Sequence, residues 1–165
     1  MPQNLPALFG TLTHGVYVIG VAAGETRNAF TAAWLMQASF DPPLLALSIN
    51  PQHSSYRLLK DSGAFSVNVL KRSQTDLAGH FGQPASVDKL ASITWQAGLK
   101  TGTPILDGAL AWFECRVEGE YLAGDHVVVV GRVVDGGVRD ASAEALNYRD
   151  TGNLDGAAVL FPASF

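Results

Sequence analysis

The chain has 165 residues, 47% of them hydrophobic and 16% charged, with a net charge of −4 and an isoelectric point near 5.4. This length suits one domain spanning 1–165 with a core that needs no disulfide, and the lone Cys115 reads as a small buried apolar residue. The acidic balance disfavours a nucleic-acid partner, no stretch approaches the ~20 apolar residues of a membrane span, and the first residues lack a basic, apolar leader, so a soluble, cytoplasmic protein is expected.

In chain order, Leu5 to Thr13 reads as a short helix, and Gly15 to Ala22, rich in Val, Ile and Tyr, as a buried strand. Gly24 marks a turn, after which Asn28 to Phe40 returns as a second strand. Asp41-Pro42-Pro43 stops it, because proline supplies no amide hydrogen, and Leu44 to Asn50 makes a third strand. Ser54 or Ser55 can cap a helix that ends at Gly63. Ala64 to Leu70 alternates as a strand with a more polar side at Ser66 and Asn68, and Ser73 caps a helix from Gln74 to Phe81. An irregular connection runs from Gly82 to Ser92, a short strand from Ile93 to Ala97, and a Gly- and Pro-broken loop from Leu99 to Gly108. Ala109 to Leu122 and His126 to Asp135 flank the turn Ala123-Gly124-Asp125 and form the clearest hairpin. Gly136 to Ala143 is a connection, and Ala145 to Arg149 a last short strand. Many short strands with few helices suggest a closed or nearly closed barrel, with ligands at its mouth or flank.

Several chemistries are unsupported. No Gly-x-Gly-x-x-Gly follows a strand, and there is neither a phosphate loop nor a Gly-x-Ser-x-Gly elbow. His14, His53, His80 and His126 are scattered without metal-like spacing. No structural metal and no hydrolytic triad are expected, so catalysis would come from a bound organic cofactor.

The stretch Asn28–Ser55 is the densest in candidate chemistry. Thr31, Ala32, Ala33 and Ser39 are small or hydroxylated, which lets a flat ligand approach the backbone and bond to its amides. A strand then leads to Asn50-Pro51 and a serine-topped helix start at Ser54-Ser55. A helix N-terminus carries free amides and partial positive charge, which favours a phosphate; an ordinary cap accounts for either serine equally well.

These pieces, in this order, resemble the flavin reductase-like, FMN-binding split-barrel family. The matching stretches are Arg27-Asn28-Ala29-Phe30-Thr31-Ala32-Ala33-Trp34, Ser39-Phe40-Asp41-Pro42-Pro43-Leu44 and Phe65-Ser66-Val67-Asn68-Val69-Leu70. Then come Leu77-Ala78-Gly79-His80-Phe81-Gly82, Asp88-Lys89, Gly124-Asp125-His126, Gly131-Arg132-Val133 and Leu146-Asn147-Tyr148-Arg149. The resemblance implies a mainly β, six-stranded Greek-key split barrel with a few short helices, paired as a homodimer with flavin near the interface. It implies hydride transfer from NADH or NADPH to FMN, with FAD as an alternative flavin. A partner monooxygenase would be a recipient of the reduced flavin. A different class stays open: a non-catalytic split barrel holding FMN or haem as an electron carrier or sensor.

By the same resemblance, Thr31, Ala32, Ala33, Trp34 and Ser39 line the isoalloxazine, although Trp34 serves core or dimer packing equally well. Asn28 faces the ring or caps the hairpin turn. Asn50, Ser54 and Ser55 surround the phosphate, His53 brings a cation beside it or lies exposed, and Arg57 reaches the phosphate or a neighbouring acid. Phe81 and His80 fall where the ribityl chain passes, with core packing as the other reading of Phe81. His126, the catalytic candidate, orients nicotinamide or manages a proton, or else fixes its turn with Asp125. Tyr148 closes the pocket or packs in the core. The tail beyond Tyr148 is shorter than in members whose ends cover the nicotinamide.

Overall fold

The structure, a computed structural model, describes residues 4–164. Among the described residues there are nine strands: β1 (Tyr17–Ala23), β2 (Thr26–Ala32), β3 (Leu35–Ser39), β4 (Leu44–Ile49), β5 (Ala64–Val69), β6 (Trp95–Ala97), β7 (Pro104–Leu106), β8 (Ala111–Ala123) and β9 (His126–Val138). Three short helices accompany them: α1 (Leu5–Phe9), α2 (Ser54–Ser62) and α3 (Thr75–Phe81). Seven strands form one antiparallel sheet in the order β2-β1-β5-β8-β9-β4-β3, and β6 pairs with β7 separately.

The main sheet therefore has seven strands where six were expected. The segment read as one strand from Asn28 to Phe40 breaks at Ala33-Trp34 into β2 and β3. Those two strands are the opposite edges of the sheet, joined by a two-residue link. The three Cα–Cα steps from Ala32 to Leu35 span at most about 11 Å, so the sheet must curl until its edges meet. The Ser48 amide donates to Trp34 O at 2.9 Å, fastening the link to β4.

Curling turns one face of the main strands inward, β3 contributing the partly buried Leu35. Ile19, Val21, Phe30, Leu45, Leu47, Ile49, Phe65, Val67, Cys115, Val127 and Val129 form one buried cluster with Leu59 of α2. In β4 the buried side chains alternate along the strand, as a half-buried strand requires. Strand β5 departs from the expected polar face, because Ser66 and Asn68 are fully buried. Ser66 donates to Pro104 O, and Asn68 takes the Leu106 amide at 2.7 Å while donating to Val18 O and Pro104 O. Strand β7, in a region read as loop, thus covers the outer face of β5. A second cluster with Leu70, Ala78, Phe81, Leu106 and Leu146 packs α3 on that side.

Other boundaries shifted for local reasons. Strand β9 runs on to Val138 through two glycines read as a connection. A Cβ on Gly136 would lie 2.9 Å from Trp112 O, so the hairpin needs glycine there for close approach. The expected strand Ala145–Arg149 is reduced to single bridges, Lys71 to Ala145 and Gly15 to Asn147, followed by a 3-10 turn at Tyr148–Thr151. Helix α3 has Gln74 as its N-cap rather than Ser73. Gly63 ends α2 in the left-handed conformation, φ 63°, as expected. Among the described residues no helix is long and apolar enough to cross a membrane.

Candidate functional site

The β2–β3 link lies between two clefts. The first, about 330 Å³, is lined by Thr31, Ala32 and Ala33, by Ala78, Gly79 and Gly82 around α3, and by Tyr148, Leu154 and Asp155 of the C-terminal segment. The second, about 440 Å³, is formed by Asn50, Pro51 and Gln52 against the β8–β9 turn with Leu122, Asp125 and His126. Trp34 ties the link to the second cleft: its ring lies 4.9 Å from the His126 ring at 50°.

The first cleft has small walls and unspent backbone donors. Strand β2 is a sheet edge, so alternate amides lack a ladder partner. Among the described residues, the amides of Ala33 and Trp34 donate to no acceptor. Thr31 behaves differently from expectation, since its hydroxyl proton is committed to Ala78 O at 2.6 Å. That bond holds α3 against β2 and leaves the Thr31 oxygen as an acceptor only. Tyr148 donates to Asp155 Oδ2 at 2.7 Å, and burial first, then this bond, pushes its phenol up to about 12.

The start of α2 is built otherwise than its sequence suggested. The N-cap is His53, not a serine: its Nδ1 accepts the Ser55 amide at 3.2 Å. Accepting through Nδ1 requires the neutral ring. Burial, and then the charge of Lys89, hold the His53 pKa below its usual value. His53 packs on Phe30 with centroids 4.5 Å apart. Ser55 is fully buried and accepts from Asn28 Nδ2 at 2.8 Å. This bond lashes α2 to β2 and leaves the Asn28 side-chain carbonyl oxygen without a partner among the described residues; Asn28 does not cap the hairpin turn, where Arg27 bonds Gly24 O instead. Asn50 Oδ1 takes the Gln52 amide at 2.9 Å. Ser54 is left with an exposed hydroxyl and an amide that have no partner among the described residues.

Other expected residues fall elsewhere. Ser39 is five residues past Trp34, beside an irregularity in the β3–β4 pairing, and lines neither cleft. It shared the small hydroxylated character of the seat, but the break at Ala33-Trp34 carries it to the other sheet edge. Phe81 is fully buried in the second core cluster, because it sits on the inward side of α3. Arg57 is exposed and pairs with Asp61 at 3.7 Å, one turn on. His80 Nε2 bonds Lys89 O at 2.7 Å. His126 bonds Asp125 through Nδ1 at 2.7 Å, which draws the exposed Asp125 carboxyl below its usual range. The turn-fixing bond and a place at a cleft thus coexist in His126.

Lys89, whose charge acts on His53, is a residue that sequence reasoning left without a role. It is buried, and its ammonium donates to Phe81 O at 3.3 Å and Gln83 O at 3.1 Å, leaving one N–H uncommitted. Burial lowers its pKa. A lysine in an irregular polar stretch carries no periodic signal; the Asp88-Lys89 pair within the resemblance was the only pointer.

Comparison with known proteins matches this architecture to one family. The flavin reductase like domain matches residues 9–155, and the chain belongs to that family. A probable flavin reductase of Rhizobium meliloti is 36% identical over 138 residues, covering 80% of this chain and 42% of the relative. The reductase component of a flavin-dependent trigonelline monooxygenase from Acinetobacter baylyi is 34% identical over 132 residues, covering 79% of this chain and again 42% of the relative. The chain thus spans less than half the length of these two relatives. Among solved structures, an NADH:FAD oxidoreductase of Streptomyces globisporus, in complex with NAD and FAD fragments, superposes with a TM-score of 0.82 at 28% identity, covering 89% of this chain and 87% of that one.

Proposed function

We propose that this chain is an NAD(P)H-dependent flavin reductase that seats FMN, or FAD in its place, in the cleft beside Thr31–Ala33. The observation that carries the reading is the pair of unpartnered amides at Ala33 and Trp34 beside a cleft in which Thr31–Ala33, Ala78 and the α3 glycines are small side chains. A planar ring with a polar edge fits such a seat: the walls admit it to the backbone, and the amides answer its acceptors. When bound, flavin supplies the redox chemistry, accepting a hydride from the nicotinamide.

The chain's own residues orient and bind. The Thr31 oxygen accepts a ligand N–H, since its proton is held by Ala78 O. Ser54 offers a hydroxyl and an amide to a phosphate, with the free N–H of Lys89 adding positive charge. His126, held by Asp125 and packed at a tilt against Trp34, places an ionisable ring at the second cleft. Asn28 and Ser55 support the seat rather than touch the ligand. A homodimer is part of the proposal, supported by exposed apolar side chains on edge strand β3 and nearby, Met36 and Phe40, and on the β8–β9 hairpin, Leu122. Delivery of reduced flavin to a monooxygenase is supported by the Acinetobacter relative, the reductase component of a flavin-dependent monooxygenase.

The test is a titration of FMN and FAD fluorescence, then anaerobic NADH or NADPH with the better flavin. Quenching with bleaching of the flavin spectrum is expected. Absence of flavin binding overturns the proposal; binding without NAD(P)H turnover favours an electron-carrier module instead.

A further inference from the structure

The wall of the first cleft opposite Thr31–Ala33 comes from the end of the described chain. Tyr148, Leu154 and Asp155 form it. Leu154 faces α3 closely: a Cβ on Gly79 would sit 3.6 Å from its methyl group. The stretch carrying Leu154 and Asp155 is bracketed by Gly152 (φ 65°, ψ −128°) and Gly156 (φ 62°, ψ 18°). The Gly152 conformation is open essentially to glycine alone, so both ends of the stretch are residues able to absorb a hinge rotation.

Few hydrogen bonds tie this wall to the barrel, and beyond Gly156 the Phe161 ring packs on Phe9 of α1 with centroids 5.2 Å apart. The backbone bonds of the segment are local, Gly152 to Arg149 O at 3.4 Å and Gly156 to Asn153 O at 3.3 Å. Among the described residues, no backbone hydrogen bond joins residues 152–164 to a strand or helix. One side-chain bond does the fastening: Tyr148, anchored by its amide to His14 O at 2.8 Å, donates its phenol proton to Asp155 Oδ2. The other carboxylate oxygen, Oδ1, caps the Ala157 amide at 3.1 Å. Asp155 thus grips the anchored Tyr148 with one oxygen and the turn beyond Gly156 with the other.

We infer that Asp155 is a positioning residue that latches the Gly152–Gly156 turn across the flavin cleft and thereby sets how fast flavin leaves. The inference rests on the flavin reading above. A reductase that hands on reduced flavin must release it, and a wall hinged at two glycines, with one hydrogen bond to Tyr148 and the apolar contacts of Leu154 and Phe161 holding it, is a route for release that leaves the barrel intact. Opening moves Leu154 off Gly79 and uncovers the cleft without disturbing Thr31–Ala33.

The experiment is stopped-flow release of FMN from the whole protein, read as fluorescence recovery on dilution, for wild type, D155A, D155N, Y148F and D155A/Y148F. Loss of a hydrogen bond to a charged group at a partly exposed site should raise the off-rate about three- to tenfold in D155A. Because both side chains make the same bond, the double variant should match D155A rather than multiply the two effects, while Y148F, which keeps the Asp155–Ala157 cap, should raise the off-rate no more than D155A does. D155N, which keeps an acceptor oxygen, should fall between D155A and wild type. Thermal midpoints should agree across the set, separating a latch from general destabilisation. A wild-type off-rate in D155A, or multiplied effects in the double variant, overturns the inference while the flavin reading stands. Failure of the wild type to quench FMN fluorescence overturns both.

Discussion

Replacing Thr31 with valine tests the floor of the seat with two independent readouts. Valine keeps the β-branched shape and removes the hydroxyl, hence the 2.6 Å bond to Ala78 O. Ala78 O also accepts the Gly82 amide at 3.1 Å, so it is not orphaned by the change. The stability cost should therefore be that of one hydrogen bond between partnered groups, about 0.5–1.5 kcal/mol. For a chain of this size that lowers the thermal midpoint by about 2–4 °C per kcal/mol. If the Thr31 oxygen also accepts an N–H from flavin, T31V loses a second bond of similar strength, and FMN should bind about 2- to 12-fold more weakly. T31S retains the hydroxyl and should restore affinity. Urea unfolding followed by fluorescence titration of FMN separates the effects. A T31V protein that is destabilised yet binds FMN with wild-type affinity shows that Thr31 only tethers α3, and the seat is misplaced.

Glu114 and His53 give two further expectations. Glu114 is fully buried, and its Oε1 accepts the Lys100 amide at 3.0 Å, the Thr101 amide at 2.8 Å and the Thr101 hydroxyl at 2.8 Å. E114A strands these donors and should cost about 2–4 kcal/mol by urea unfolding, whereas E114Q, which keeps the main acceptor, should cost less than half as much; equal losses would contradict the assignment. His53 is neutral in the fold, with a pKa below the ~6.5 of the unfolded chain. Between those two values the unfolded state binds more protons, so stability falls as pH drops through about 6.5 and the loss is complete below the folded pKa. The difference in thermal midpoint between pH 7.5 and 5.5 should shrink in H53Q, which keeps a cap acceptor without titrating; an unchanged difference would count against the cap.

Local pattern was enough for the β-rich class, the β1–β2 and β8–β9 hairpins and the helix that Gly63 closes. Each is written in neighbouring residues: β-branched alternation, a Gly turn, a left-handed C-cap. The order of small residues, serines and the Gly-Asp-His turn also brought Thr31–Ala33 and His126 into consideration before any contact was known. Tertiary structure decided which of these groups are free. Asn28 and Ser55 lie 27 residues apart and bond each other, His53 takes the cap from the serines, and the Thr31 proton goes to a carbonyl 47 residues away. Such pairings are long-range, and nothing in a residue's near neighbours encodes them. The break at Ala33-Trp34 was likewise invisible locally, because it arises where a curling sheet brings its two edges together. Sequence named the atoms that could hold a ligand; packing chose the few still unspent.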